Sequence, residues 1–155
     1  MAIEYVTGDL FANRFGAEAF AHGCNCEGSM SAGIATGFKQ RYPEMFAEYR
    51  RRCKAAPPEF VLGSVFAWKE PGKPTVFNLG TQERGWHGRA TYLAVEQALT
   101  VTRALLEADG IGSLAVPRIG AGFGGLSWKK VKAILERVFA DWPGTLVVYE
   151  EFAAE

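Results

Sequence analysis

Six short apolar runs, at residues 3–6, 19–24, 65–68, 76–79, 114–116 and 146–149, set the strongest constraint on how this chain can fold. They are rich in branched and aromatic side chains and read as strands. Two of them, Ser113-Leu114-Ala115-Val116 and Thr145-Leu146-Val147-Val148-Tyr149, are apolar at successive rather than alternate positions. A strand that is apolar on both faces needs cover above and below, which means helices on both sides of a largely parallel sheet. Segments with helical spacing lie between the strands: Ile34, Phe38 and Tyr42; Tyr92, Val95, Leu99, Thr102 and Leu106; Trp128, Val131, Leu135 and Val138. Gly110 suits the left-handed turn after the second of these helices, and Ser127 stands where an N-cap would open the third. This order predicts an α/β fold, a three-layer α/β/α sandwich around a central mixed six-stranded sheet. Residues 54–59 read as a tight connection and residues 68–75 as a hairpin turn. Neither is long enough for a linker, so residues 1–155 are expected to form a single domain.

The balance of side chains narrows the function. With 48% hydrophobic and 13% aromatic residues in 155, the chain can bury a sizeable core and is not disordered. Its 17 basic and 17 acidic residues cancel, which excludes a general DNA-coating protein. A phosphate-bearing ligand would have to be held mainly by backbone dipoles. The three cysteines, Cys24, Cys26 and Cys53, are odd in number and lack framework spacing, so a reducing compartment is expected. Cys24 and Cys26 are too close in sequence for a zinc knuckle or a thioredoxin motif, and no metal or cofactor is expected. The N-terminus has no basic region ahead of an apolar one, and no apolar run reaches membrane-spanning length. The expectation is a cytoplasmic monomer without a membrane partner.

Two loops at strand ends are unusual in composition. The first runs from Asn25 through Gly28, Ser29, Met30, Ser31, Ala32 and Gly33 to Ile34; the second from Pro117-Arg118-Ile119 through Gly120-Ala121-Gly122-Phe123-Gly124-Gly125 to Leu126. Each leads from a strand into a helix, at the end of the sheet where open α/β proteins bind ligands. Glycines let backbone N–H groups approach a ligand, and a helix start presents unpaired N–H groups and a positive dipole end. Two such loops could clasp a diphosphate without a lysine. Glycines also collect in tight turns for steric reasons alone. Gly120, Gly122 and Gly125 satisfy G-x-G-x-x-G, but too little chain follows to build a Rossmann domain, and no Walker loop occurs.

At these loops the sequence resembles the macrodomains, the ADP-ribose-binding family. Four blocks carry the resemblance: Val6-Thr7-Gly8-Asp9-Leu10-Phe11; Ala21-His22 through Met30-Ser31-Ala32-Gly33-Ile34-Ala35 with Phe38-Lys39; Asn78-Leu79-Gly80-Thr81-Gln82; and Pro117-Arg118-Ile119-Gly120-Ala121-Gly122 with Gly125-Leu126 and Trp128. The spelling is similar to the branch holding the terminal ADP-ribose protein glycohydrolase and a chromatin-remodeller macrodomain, and to bacterial antitoxin macrodomains that remove ADP-ribose from DNA. The resemblance implies that Asp9 accepts a hydrogen bond from the adenine amino group, with Leu10 beside the base and Tyr149 lining the adenine and proximal ribose pocket. It assigns Ser31, Ala32, Gly33, Ile34, Thr81, Ile119, Gly120, Ala121, Gly122 and Phe123 to the ADP-ribose site, and Asn25 to the distal ribose. Asp9 as a helix cap and Tyr149 as a core aromatic are the competing structural readings.

The departures bear on catalysis. The vertebrate hydrolase of this branch uses a lysine just after the fourth strand and an aspartate in the second loop. Here those places hold Gln82, with Glu83 next, and Gly124. A covalent lysine route is therefore out, and Lys39 is expected to face solvent. The resemblance then implies hydrolysis of mono-ADP-ribose from acidic side chains of proteins by a positioned, substrate-assisted water, with Asn25, Gln82, Glu83 and Gly124 at the catalytic positions. The alternatives are a non-catalytic reader, or a hydrolase of small ADP-ribose derivatives or of ADP-ribosylated DNA. His22 reads as a satisfied core histidine, Cys24 and Cys26 as buried thiols, and Trp86 and His87 as part of a polar loop over the distal ribose.

Overall fold

The computed structural model describes residues 2–83 and 88–155. Six strands, β1 (Ala2–Gly8), β2 (Ala19–Asn25), β3 (Val65–Trp68), β4 (Thr75–Gln82), β5 (Ser113–Val116) and β6 (Thr145–Phe152), form one sheet in the order β1-β6-β5-β2-β4-β3. All neighbours are parallel except β3, which returns antiparallel on β4 at the edge. The sheet is mixed, as expected, and residues 68–75 make the hairpin turn.

Strand alternation divides the core in two. Ala19, Ala21, Phe77, Leu79, Leu114, Val116, Leu146 and Val148 pack with one set of helices, while Phe20, Val76, Ala115, Val147 and Tyr149 pack with the other. The first face is covered by α3 (Tyr92–Ala108) and α4 (Trp128–Val138), the second by α1 (Ile34–Arg41) and α2 (Pro43–Lys54). This is the three-layer sandwich that doubly apolar strands require.

Sequence periodicity found three of these four helices and missed α2. Its buried residues Met45, Tyr49 and Cys53 do follow steps of four, but they sit in a segment crowded with charge. Pro43 is the signal that a new helix begins: it occupies the first turn, where its missing N–H does no harm, and Tyr42 closes α1 and opens α2. Helix α3 ends as predicted, with Gly110 at φ +66° and the Ile111 N–H returning to the Leu106 carbonyl at 2.9 Å. Ser127 does precede α4, but its side chain makes no capping bond. Among the described residues, no helix is long and apolar enough to cross a membrane.

β2 and β5 pair only through Ala19–Leu114 and Phe20–Ala115. β2 then leads to α1 on one face, and β5 leads to α4 on the other. Chains that leave adjacent parallel strands for opposite faces open a crevice between them.

Candidate functional site

Two cavities occupy that end of the sheet. The smaller, about 320 Å³, is walled by Gly23, Cys24 and Asn25 of β2, Thr81 and Gln82 of β4, and the two glycine-rich loops. The larger, about 580 Å³, lies between residues 8–11, Gly37 and Arg41 of α1, and Tyr149, Glu151 and Phe152 of β6. Gly33, Ile34 and Pro117 line both, so the cavities join into one groove that bends around the start of α1.

Gly33 makes that bend. As the residue before α1 it takes φ 59°, ψ −144°, a conformation essentially reserved for glycine, and it gives the first turn no side-chain acceptor. The Thr36 N–H turns back to the Gly33 carbonyl at 3.3 Å, which leaves the amides at the very start of α1 for whatever occupies the groove. Opposite, the Phe123 ring lies 3.6 Å from where a Gly33 Cβ would stand, so the two loops nearly touch over the groove. Phe123 is nonetheless 78% exposed. Glu27 and Arg118 are the charged side chains among the described residues lining the smaller cavity. Their charges cancel, and Arg118 is a wall residue beyond those that the resemblance assigns.

Asp9, Leu10 and Tyr149 come together in the larger cavity. The Asp9 carboxylate caps the 3₁₀ turn at Leu10–Ala12, accepting the Phe11 N–H at 3.0 Å, and its own N–H donates to Glu155 Oε2 at 2.8 Å. It is a cap and a groove residue at once. Tyr149 is 5% exposed, and among the described residues its buried hydroxyl has no hydrogen-bond partner. Burial raises its pKa, with Glu155 next in effect, so it stays a phenol.

Asn25, Ser31, Ala32, Gly33, Ile34, Thr81, Gln82, Ile119, Gly120, Gly122, Phe123 and Gly124 all line the smaller cavity. Ala121 and Glu83 line neither cavity. Glu83 is exposed where the chain leaves β4, and Lys39 is exposed, its Nζ 4.5 Å above the Phe46 ring. The Gln82 Nε2 donates to the Gly88 carbonyl at 2.9 Å. Gly124 is packed tightly: a Cβ there would fall 2.5 Å from the Gly120 oxygen and 2.8 Å from the Ala90 Cβ. Trp86 and His87, assigned above to a loop over the distal ribose, lie outside the described residues.

His22 is a core histidine. It stacks on Phe38 with ring centroids 3.9 Å apart, and its Nε2 lies 2.7 Å from Asn78 Oδ1. Because Asn78 Nδ2 donates to the Phe66 carbonyl at 3.0 Å, Oδ1 is the accepting end and the His22 Nε2 carries the proton. Burial lowers its pKa to about 4 against the Asn78 bond, which favours the charged form. Cys24 lines the cavity, but its thiol lies near His22 and Asn78 in the core, is pushed well above its ordinary pKa by burial, and makes a poor thiolate. All three cysteines are buried and none is in a disulfide. Among the described residues, no group of three or more His, Cys, Asp or Glu is arranged to hold a metal ion.

The family model described as the Macro domain matches residues 21–135. The chain belongs to the macrodomain family. Among curated relatives it is 34% identical over 144 residues to a DNA ADP-ribosyl glycohydrolase of Mycobacterium tuberculosis, a match covering 91% of this chain and 40% of that protein. The chain therefore spans about 40% of that relative's length. It is 31% identical over 147 residues to the ADP-ribose glycohydrolase OARD1 of Homo sapiens, covering 95% of this chain and 90% of that one. Among solved structures, the macrodomain of Mycobacterium tuberculosis DarG superposes with a TM-score of 0.84 at 32% identity, covering 96% of this chain and 98% of the other. The expected fold and family are both confirmed, and the relatives named are ADP-ribosyl hydrolases.

Proposed function

We propose that this macrodomain binds ADP-ribose along the bent groove and hydrolyses ADP-ribosyl bonds. The observation that carries the reading is the junction at Gly33 and Ile34, where an uncapped helix start meets the second glycine-rich loop between two cavities. The adenosine end fits the larger cavity, with Asp9 to accept from the adenine amino group and the Tyr149 hydroxyl, without a partner among the described residues, to be satisfied by the ligand. The diphosphate lies across residues 31–34 and the backbone of Gly120, Gly122 and Phe123, and the distal ribose enters the smaller cavity near Thr81 and Asn25.

The proposed substrate is a protein carrying mono-ADP-ribose on glutamate or aspartate. The ester is already labile, so a water held beside the distal ribose, with a substrate phosphate oxygen taking its proton, needs positioning more than a strong base. Gln82 stands where the resemblance expects a lysine, and its amide is engaged with Gly88, so no covalent lysine step enters. The packing at Gly124 supports a shaping role for that residue rather than a side-chain role. ADP-ribosylated DNA is the second reading, favoured by the 34% identity to the mycobacterial DNA ADP-ribosyl glycohydrolase.

The test incubates the protein with a glutamate-linked ADP-ribosylated protein and, in parallel, ADP-ribosylated DNA, each labelled in the ADP-ribose. Release from the first is the expected outcome. Release from DNA alone transfers the assignment to the second reading. Label retained on both, with ADP-ribose still bound, makes the protein a reader that cleaves neither.

A further inference from the structure

Tyr49 lies on α2, lines neither cavity, and is fully buried at 0% exposure. Its ring packs edge-on against Phe60, 5.3 Å between centroids. Its hydroxyl emerges beneath the first loop, 2.7 Å from both the Asn25 carbonyl oxygen and Asn25 Oδ1. Asn25 in turn folds the loop onto itself: Nδ2 donates to the Ser29 carbonyl at 2.9 Å, while Oδ1 accepts the N–H groups of Glu27 at 3.1 Å and Ser29 at 3.3 Å. The Asn25 carboxamide is thus committed to the loop, although the residue itself lines the cavity. Burial raises the Tyr49 pKa well above its ordinary value, so the group remains a donor wherever the protein is folded.

We propose that Tyr49 is a positioning residue for the smaller cavity: its O–H anchors Asn25, and through Asn25 fixes residues 25–33 in the ligand-binding shape before ligand arrives. This rests on the reading that ADP-ribose occupies the groove. A buried phenol suits the task because one rigid donor, held by ring packing, reaches a backbone and a side-chain oxygen of the same residue. Larger ligands that span both cavities lie along that loop. Ligands confined to the larger cavity meet only its last residue, Gly33, and depend on it less.

The test compares wild type and Tyr49→Phe, which keeps the ring and removes the donor. Calorimetric titration with ADP-ribose should show the dissociation constant rising about tenfold, as for one buried hydrogen bond lost. Titration with AMP, which lacks the second phosphate and the distal ribose, should change less than about twofold. Without any ligand, the amides of Glu27 and Ser29 should exchange with solvent faster in the variant while the Leu99 amide of α3 does not. An equal loss for both nucleotides, or unchanged ADP-ribose affinity and amide exchange, overturns the proposal. If wild type fails to bind ADP-ribose, the reading of the groove falls, and the exchange rates alone judge the Tyr49 anchor. Should Tyr49→Phe not fold, Asn25→Ala must give the same split between nucleotides. Where both variants fold, their effects should not add.

Discussion

Replacing Gly124 with alanine probes one of the two catalytic positions at which this chain departs from the pattern it resembles. A Cβ at that position would stand 2.5 Å from the Gly120 oxygen and 2.8 Å from the Ala90 Cβ. Neither obstacle is the loose end of a side chain. The Gly120 oxygen accepts the Leu126 N–H at 3.0 Å, and Ala90 donates its own N–H to the Gly124 oxygen at 3.2 Å. Relief requires the second loop to move off Ala90 or to open its own turn. Overpacking of a close contact costs typically about 1–3 kcal/mol. Loss of one backbone hydrogen bond adds about 1 kcal/mol. Gly124→Ala should therefore destabilise the protein by about 2–4 kcal/mol. Gly124→Asp should cost at least as much and hydrolyse no faster than wild type, since its carboxylate would have no room to approach a substrate. Urea denaturation measures the first effect, and calorimetry with ADP-ribose on the folded variant should show affinity lowered at least about tenfold as the loop shifts. Stability within about 0.5 kcal/mol of wild type, with unchanged affinity, would refute the claim that packing demands glycine here.

Three further outcomes follow from the site and its surroundings. Tyr149→Phe removes a buried hydroxyl without a partner among the described residues, so the free protein should lose no more than about 0.5 kcal/mol while ADP-ribose affinity falls about tenfold; the reverse pattern in denaturation and calorimetry would mean that the hydroxyl serves the fold. Asp9→Ala should weaken ADP-ribose binding by about 1.5–3 kcal/mol, and loss of its cap on Phe11 should cost stability by about 1 kcal/mol as well; unchanged calorimetric affinity would remove Asp9 from the adenine site. The His22 pKa is about 4 when folded against 6.5 for the free side chain, so in that window the unfolded chain binds a proton that the folded one refuses. Stability from this group is complete above pH 6.5, falls as the pH drops towards 4, and is lost by roughly 3 kcal/mol below that. His22→Gln keeps a donor for Asn78 and should flatten this part of the acid limb in urea titrations at pH 7 and pH 4.5; an identical slope in both proteins would contradict it.

Much of this architecture was legible in the residues because burial on both faces leaves a clear signature. Leu114–Val116 and Leu146–Val148 announce a covered sheet, and strand alternation then sorts them into the two cores. Helix α2 was missed because its charged side chains, including Arg50, Arg51 and Arg52, mask the Met45–Tyr49–Cys53 stripe that it buries. Losing α2 also hid Tyr49, whose contact with Asn25 spans 24 residues and leaves no local trace. Gln82 and Glu83 are adjacent in sequence, yet β4 ends at Gln82 and, of the two, only Gln82 lines the cavity. Local composition located the loops, whereas the close approach of Gly124 to Ala90 arises from how the second loop docks beside α3. Asp9 illustrates a third case. In sequence a cap competes with a contact to adenine; the side chain does cap the turn, and the residue also lines the groove, so the cap does not take it out of reach of a ligand.

Titration of isotopically labelled protein with ADP-ribose, followed by heat and by amide resonances together, bears most directly on whether two side-chain-poor loops hold an anionic linker in an electrically neutral chain. Saturable heat release is expected, with the amides of Gly33 and Ile34 shifting in step with those of Gly120 and Gly122. No heat, and no movement at either loop, would mean that these glycines serve only to turn the chain.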